Sequence, residues 1–423
     1  MAPLDILDNQ GTRPTGLPLG PMPYHQQIIR HLQLHEADVW NWFSGEEFQR
    51  LDKDATRMAL LKTTYRLDRG DCGALGTAAD AAALALGVRD PVTFYRSGES
   101  DRPNASLVYM PGEVHIVLSG TILELLSPAE LQCMAAHEFS HFLLLDKWRE
   151  YRVAWEMLGA MARDPQAHPA SAASCRLFSI YSEVYCDRGS RLAAQDVQTA
   201  ISTLVKIAAS MRDISVDSYL RQSDDIFAQG PTRSEGVTHP EIYMRTRSLK
   251  LWEENPSTAD REIAGAIEGL RDLEALDLLG QQNVSAMTRD LITALLQPQW
   301  LRTDALIGLA RLFFDDIAPD NIGTAPLPMQ WVDGIANLRD YCCYVLLDFA
   351  VADRELEDAS LAAAILLSRQ LGLAARFIDI ATAELKLSKK RLMDLEKNAE
   401  TIVASADGSG NKPQSLRAHD DQL

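Results

Sequence analysis

Five consecutive residues, His137-Glu138-Phe139-Ser140-His141, hold the densest group of reactive side chains in this chain. On a helix, two histidines four residues apart project from one face, where both imidazoles can bind a single zinc while Glu138 stands beside a zinc-activated water. Zinc lowers the pKa of its water to about 7, and an adjacent carboxylate can take the proton as the water attacks a peptide carbonyl. These residue types point to hydrolysis, with Glu138 as the general base. The flanking Met134, Ala135, Ala136, Phe142, Leu143 and Leu144 are apolar. On so apolar a helix, two histidines and a glutamate are costly to bury without partners.

The helix that must carry them has a legible start. Ser127-Pro128-Ala129-Glu130 places serine at the N-cap, proline at the first helical position and glutamate at the third, a capping box. A zinc site of this kind needs a third protein donor, and Glu183 and Asp187 share one helix face downstream. One of these carboxylates can bind the metal while the other accepts a hydrogen bond from a ligand imidazole and fixes its tautomer. Gly189 and Ser190 are small and permit close approach of two helices. Cys133, one turn before His137, reads as a small buried hydrophobe. His31 and His35 share helical spacing without an acid beside the first, and read as a partly exposed helix face.

The surrounding chain is predominantly helical with one β region, an α+β class. Strand signals are confined to Val92 to Ser119, where TFYR, ASLVYM and EVHIVL are separated by turn residues and Pro111-Gly112 suits a type II turn. They predict a small β-ribbon. Tyr24 to about Gly87 and Pro128 to about Leu251 read as helical, apart from a loop at Ala228 to Pro240. The expected organisation is an extended Pro/Gly-rich arm at 1–24, a catalytic domain at 25–250, a helical connection at 251–325, a compact helical module at 326–403 and a polar, disordered tail at 404–423.

Composition excludes several functions. With 59 acidic against 41 basic residues the formal charge is -18, which disfavours nucleic acid and anionic membrane surfaces as partners. No apolar run reaches the roughly 20 residues of a membrane span, and the first residues lack the basic start and apolar stretch of an export signal. The six cysteines form no C-x-x-C pair and read as reduced thiols, so a soluble, cytoplasmic protein without membrane insertion is expected.

Four ordered elements resemble the gluzincin metallopeptidases of the HtpX and CAAX prenyl endopeptidase type, over about residues 70–250. Pro103-Asn104-Ala105 before a strand is similar to that family's substrate edge strand, Ser127 to His141 to its zinc-binding helix, and Glu183 with Asp187 to its E-x-x-x-D element. Thr238-His239-Pro240 with Arg245 resembles its T-H-P-x-x-x-x-R element. The resemblance implies a zincin-type fold with the β-ribbon beside the active-site helix, Zn2+ held by His137, His141 and Glu183, and Asp187 behind them. It further implies Glu138 as general base, His239 stabilising the oxyanion and Arg245 orienting the site. Familiar members carry membrane helices or export signals that this chain does not show, so prenylated or membrane-embedded substrates are not carried over.

The segment Tyr341 to Leu373 reads as helix, acidic turn, helix. It resembles, more weakly, the TerB-like domain associated with tellurite resistance, with Arg354 where that family often has glycine. The acids near Asp353 read as helix caps. The expected function is a soluble zinc endopeptidase acting on peptide or protein substrates, with a regulatory protein recruited through the C-terminal module. The alternative is a peptidase-fold scaffold that binds peptides or partner proteins and hydrolyses weakly or not at all.

Overall fold

The computed structural model of the chain describes residues 19–45, 53–68, 70, 72–230, 232–323 and 334–409. Most of the expected arm, the Ile322 to Gln330 break from residue 324 onward, and the tail beyond 409 lie outside the described residues. The chain divides into two compact units that part between residues 272 and 280.

In the first unit the helices are α1 (Pro23–His35), α2 (Ala37–Phe43), α3 (Lys53–Thr63) and α4 (Gly73–Leu86), with the short strand β1 (Tyr65–Arg66) between the last two. Strands β2 (Val92–Ser97), β3 (Asn104–Met110) and β4 (Glu113–Ser119) follow, then α5 (Ile122–Leu125), α6 (Pro128–Lys147), α7 (Arg149–Arg163) and α8 (Pro169–Ala193). Helices α9 (Val197–Ala209), α10 (Val216–Ala228), α11 (Ile242–Glu254) and α12 (Pro256–Glu268) complete it. The first unit is mostly helical around one small sheet, as the α+β reading expects.

The sheet departs from a simple ribbon. Its order is β1-β2-β4-β3: β3 and β4 are antiparallel, but β2 runs parallel to β4 in the register Val92↔Val114 to Ser97↔Ser119. The Pro111-Gly112 turn joins β3 to β4, with Gly112 at φ 72, where glycine is under no steric penalty. Tyr65–Arg66 adds an antiparallel strand in a stretch whose spacing reads as helical, because two residues are too few to show a period. Strand β3 lies at the sheet's edge, with no strand on its outer side among the described residues.

Helix α6 runs through the core. Its start matches the capping box: the Ser127 amide donates to Glu130 Oε2 at 2.9 Å, and the Glu130 amide donates to Ser127 Oγ at 3.4 Å. A serine cap of this kind is worth about 1 kcal/mol. Phe139, Phe142 and Leu143 face α4 and the sheet in one apolar cluster with Leu86, Phe94, Ile116 and Leu131. Leu144 and Leu145 join a second cluster on the side of α1, α7 and α8. Burying each large side chain contributes roughly 1.5–3 kcal/mol, so the helix carrying the histidines is held on both sides.

The expected arm ends sooner than its composition suggests. Proline at position 23 opens α1, and Met22 and Tyr24 are buried among core residues of α7 and α8. Nor does the compact unit stop at residue 250. Ala259, Ile263 and Ile267 of α12 pack into the same apolar cluster as Leu251, which the polar surroundings of these residues conceal in the sequence.

The second unit, described by itself, contains α13 (Leu278–Leu295), α14 (Asp304–Phe313), α15 (Leu338–Ala352), α16 (Asp358–Gln370), α17 (Ala374–Leu385) and α18 (Lys389–Ser409). Helices α15 and α16 flank the acidic turn as expected. Asp353 Oδ1 accepts the Glu355 amide at 3.0 Å, so this acid caps the turn between them. Helix α18 continues through Ser409, so residues 404–409, expected in the disordered tail, are helical.

Candidate metal centre

Helices α6 and α8 cross where Gly189 faces Ser140. Ser140 turns its hydroxyl back to the Ala136 carbonyl at 2.7 Å, and the missing side chain at Gly189 lets the two backbones close together. That contact brings two carboxylates of α8 beside the histidines of α6. His137 Nε2 lies 3.4 Å from Glu183 Oε2, and His141 Nε2 lies 3.3 Å from Glu183 Oε1. His137 Nδ1 points the other way, 3.2 Å from Asp187 Oδ1.

These spacings suit a metal ion. Donor atoms around a tetrahedral zinc with bonds of roughly 2.0–2.2 Å stand about 3.3 Å apart. Glu183 Oε2 and His137 Nδ1 are both buried without a hydrogen bond in good geometry, although Arg245 Nη2 stands 3.3 Å from the first and Asp187 Oδ1 3.2 Å from the second. With Nδ1 turned to Asp187, His137 presents Nε2 on the Glu183 side as the lone-pair donor. Two imidazoles and a carboxylate are a donor set that zinc favours.

The electrostatics also call for positive charge here. Burial opposes protonation of His137, yet its contacts with Asp187 and Glu183 outweigh this and push its pKa up to about 10. Burial works against ionisation of Glu183 too, but the Arg245 guanidinium and both histidines hold its carboxyl well below the usual range. Asp187 is likewise kept ionised against the cost of burial by Arg245.

Arg245, on α11, is buried and grips Asp187 with two hydrogen bonds, Nε to Oδ2 at 2.8 Å and Nη2 to Oδ1 at 2.5 Å. Its Nη2 stands 3.3 Å from Glu183 Oε2. Its contacts run to both carboxylates, so it neutralises and orients them. His239 is largely exposed, with Nε2 3.4 Å from Glu183 Oε1. Thr238 Oγ1 is 2.7 Å from His239 Nδ1, and when that hydroxyl donates, the ring proton resides on Nε2. The loop carrying His239 folds on itself: Glu241 Oε1 accepts the amides of Glu235 and Gly236 at 2.8 and 3.0 Å, and a Cβ on Gly236 would lie 1.8 Å from the His239 carbonyl oxygen.

Glu138 lines the same cleft, of about 700 Å³, along with His137, His141, Glu183, His239 and Arg245. Asn104 and Ala105 border it on the edge strand β3. The turn that follows that strand is tied to the end of α6, where Asp146 Oδ1 accepts the Gly112 amide at 2.9 Å. The candidate ligands, Glu138, His239, Arg245 and the edge-strand pair therefore lie around one cleft, with Asp187 behind the histidines, outside its lining.

One neighbour was not legible in the sequence. Cys186 brings its sulfur, with one ring nitrogen each of His137 and His141, within a 4.8 Å group. Cys133, the thiol that helical spacing singles out, is not in that group. Cys186 escaped notice because only the crossing of α6 and α8 sets it against the histidines. It does not line the cleft, and Glu183 has the closer metal spacing. Burial and the neighbouring carboxylates push the Cys186 thiol well up. Among the described residues no helix is long and apolar enough to cross a membrane.

Residues 75–253 match Peptidase family M48. The chain is 29% identical over 192 residues to the plastoglobule-localized metallopeptidase 48, chloroplastic, of Arabidopsis thaliana, covering 40% of this chain and 54% of that protein. The chain thus spans about half the length of the curated relative it matches. No solved structure matches it. The matched span contains every residue of the cluster described above, and it agrees with a metallopeptidase reading at the level of the family.

Proposed function

We propose that the first unit is a soluble zinc endopeptidase of the gluzincin type, with His137, His141 and Glu183 as metal donors. The observation that carries this reading is the pair of 3.3–3.4 Å contacts from both Nε2 atoms to Glu183, beside Glu138 in one cleft. Zinc, when bound, supplies Lewis acidity toward water and the peptide carbonyl.

The chain's own residues do the rest. The outer edge of β3 pairs with an extended peptide through backbone hydrogen bonds, with Asn104 and Ala105 at one end of the groove. Glu138 takes the proton of the attacking water and returns it to the leaving amine. Asp187 holds the His137 ring through Nδ1, and Arg245 holds Asp187. His239 donates from Nε2 to the developing oxyanion, with Thr238 securing the required tautomer. HtpX-like and TerB-like details, a cytoplasmic location and recruitment of a regulatory protein by the C-terminal helical module belong to the same proposal. The six free cysteines suit a reducing compartment.

The deciding experiment compares wild type with Glu138→Gln for bound zinc and for cleavage of casein or a quenched peptide. Zinc retained in both and cleavage lost in the variant is expected. Zinc bound with no cleavage by wild type leaves the alternative, a peptide-binding scaffold.

A further inference from the structure

The floor of the cleft is a single stripe of α6. Met134, His137, His141 and Leu145 follow one another at helical spacing and all line the cleft, so an apolar side chain lies one turn beyond the histidine pair in each direction. From Met134 to Leu145 the helix advances about 16 Å, the length of roughly five residues of extended chain.

Each end of the stripe has its own apolar wall. Beside Met134 stands Ile207 of α9, and beside Cys133, which also lines the cleft, stands Leu204 one turn earlier on the same helix. That helix is tied to the start of α6 by Ser202 Oγ, which donates to Glu130 Oε1 at 2.6 Å, and by Lys206 Nζ, which donates to Glu130 Oε2 at 3.0 Å. At the other end Leu145 packs with Tyr151 of α7, and Trp155, one turn further along that helix and 45% exposed, also lines the cleft. Among the described residues that line the cleft, the only Asp, Glu, Lys, Arg or His side chains are those of the metal cluster itself. Arg245 is already engaged by Asp187. A charged side chain entering either end would lose water and meet no counter-charge in the cleft lining, Arg102 belonging to the adjoining groove and Arg152 being engaged with the Tyr109 hydroxyl, whereas an apolar one would gain from burial.

We propose that this cleft takes an extended polypeptide segment with large apolar side chains on both sides of the scissile bond, and rejects segments charged at either place. Ile207 and Trp155 are the specificity-determining residues of the two ends. This rests on the peptidase reading and names its substrate class.

The test uses full-length, zinc-loaded Glu138→Gln protein and fluorescein-labelled peptides of one scaffold, with Leu, Asp or Lys at the two places. Anisotropy should give a Kd at least about tenfold weaker for each charged peptide than for the Leu peptide. Ile207→Lys, made in the same background, should recover binding of an Asp peptide at one of the two places only. Equal affinity for charged and apolar peptides, tighter binding of the charged ones, or no binding of any peptide overturns the proposal. Wild type is then incubated with the same peptides. Apolar peptides that bind but stay intact overturn the peptidase reading and leave the specificity standing. Cleavage regardless of charge does the reverse.

Discussion

A Cβ placed on Gly189 would lie 1.8 Å from the hydroxyl of Ser140 and 2.9 Å from its Cβ. While Ser140 faces it, the two helices that carry the metal-type residues can therefore cross this closely only with glycine at position 189. Gly189→Ala should destabilise the fold by about 1–3 kcal/mol and weaken zinc binding, because α8 must retreat and take Glu183 with it. Ser140→Gly in the same chain should restore part of both losses. Thermal melts with and without zinc check this, and an unchanged Tm for Gly189→Ala would refute it.

Asp187→Asn should cost both stability and metal. The substitution leaves Arg245 buried with Glu183 as its remaining carboxylate, so the loss should fall below the roughly 3–5 kcal/mol of stripping a buried charge of its partner altogether. It also loosens the hold on His137, a change typically worth 10–100-fold in metal affinity. Urea unfolding and competitive zinc titration measure the two effects separately. Wild-type zinc affinity in a folded variant would show that Asp187 does not orient the ligand.

The loop that presents His239 gives a kinetic prediction. His239→Ala should lower kcat by roughly ten to a thousandfold with zinc retained, as loss of an oxyanion donor does. Glu241→Ala and Gly236→Ala release the loop's own closure and should lower kcat in the same direction. In the His239→Ala background they should add little, since residues acting through one group are not additive. Full additivity in the double variants would separate the loop from His239.

Acid stability should depend on His25, which is buried behind the cleft wall, its Nε2 3.3 Å from Ser182 Oγ and its ring 5.0 Å from that of Tyr151. Its Nδ1 accepts the Met22 amide at 3.2 Å and its Nε2 donates to the Phe178 carbonyl at 3.0 Å, so the neutral ring is already satisfied. Burial lowers its pKa to about 4 from 6.5. Between these values the unfolded chain binds a proton that the folded chain does not. The contribution is thus complete above pH 6.5 and is lost as pH falls toward 4, in all roughly 3 kcal/mol. Urea unfolding across that range should show a shallower slope for His25→Gln than for wild type. Identical slopes would remove His25 as the source.

What local physics controls could be read without the fold. The start of α6 follows from Ser127 and Glu130, which satisfy each other's amides within one turn, and from Pro128, which has no amide hydrogen to satisfy. The shared face of His137 and His141 follows from helical geometry alone, and so does that of Glu183 and Asp187. The Pro111-Gly112 turn needs only the backbone preferences of two residues. Other features depend on which distant segments meet, and no residue's neighbours in the chain record that. The parallel pairing of β2 with β4 joins strands separated by an intervening edge strand, so alternation in each strand cannot reveal it. Cys186 and Cys133 are both buried thiols at plausible helical positions, yet only the Gly189 contact decides which one lies against the histidines. Arg245 reads in isolation as a solvated charge. It becomes the buried partner of Asp187 because α11 packs beside α8, where the cost of desolvating an arginine is offset only by the carboxylates that α8 supplies.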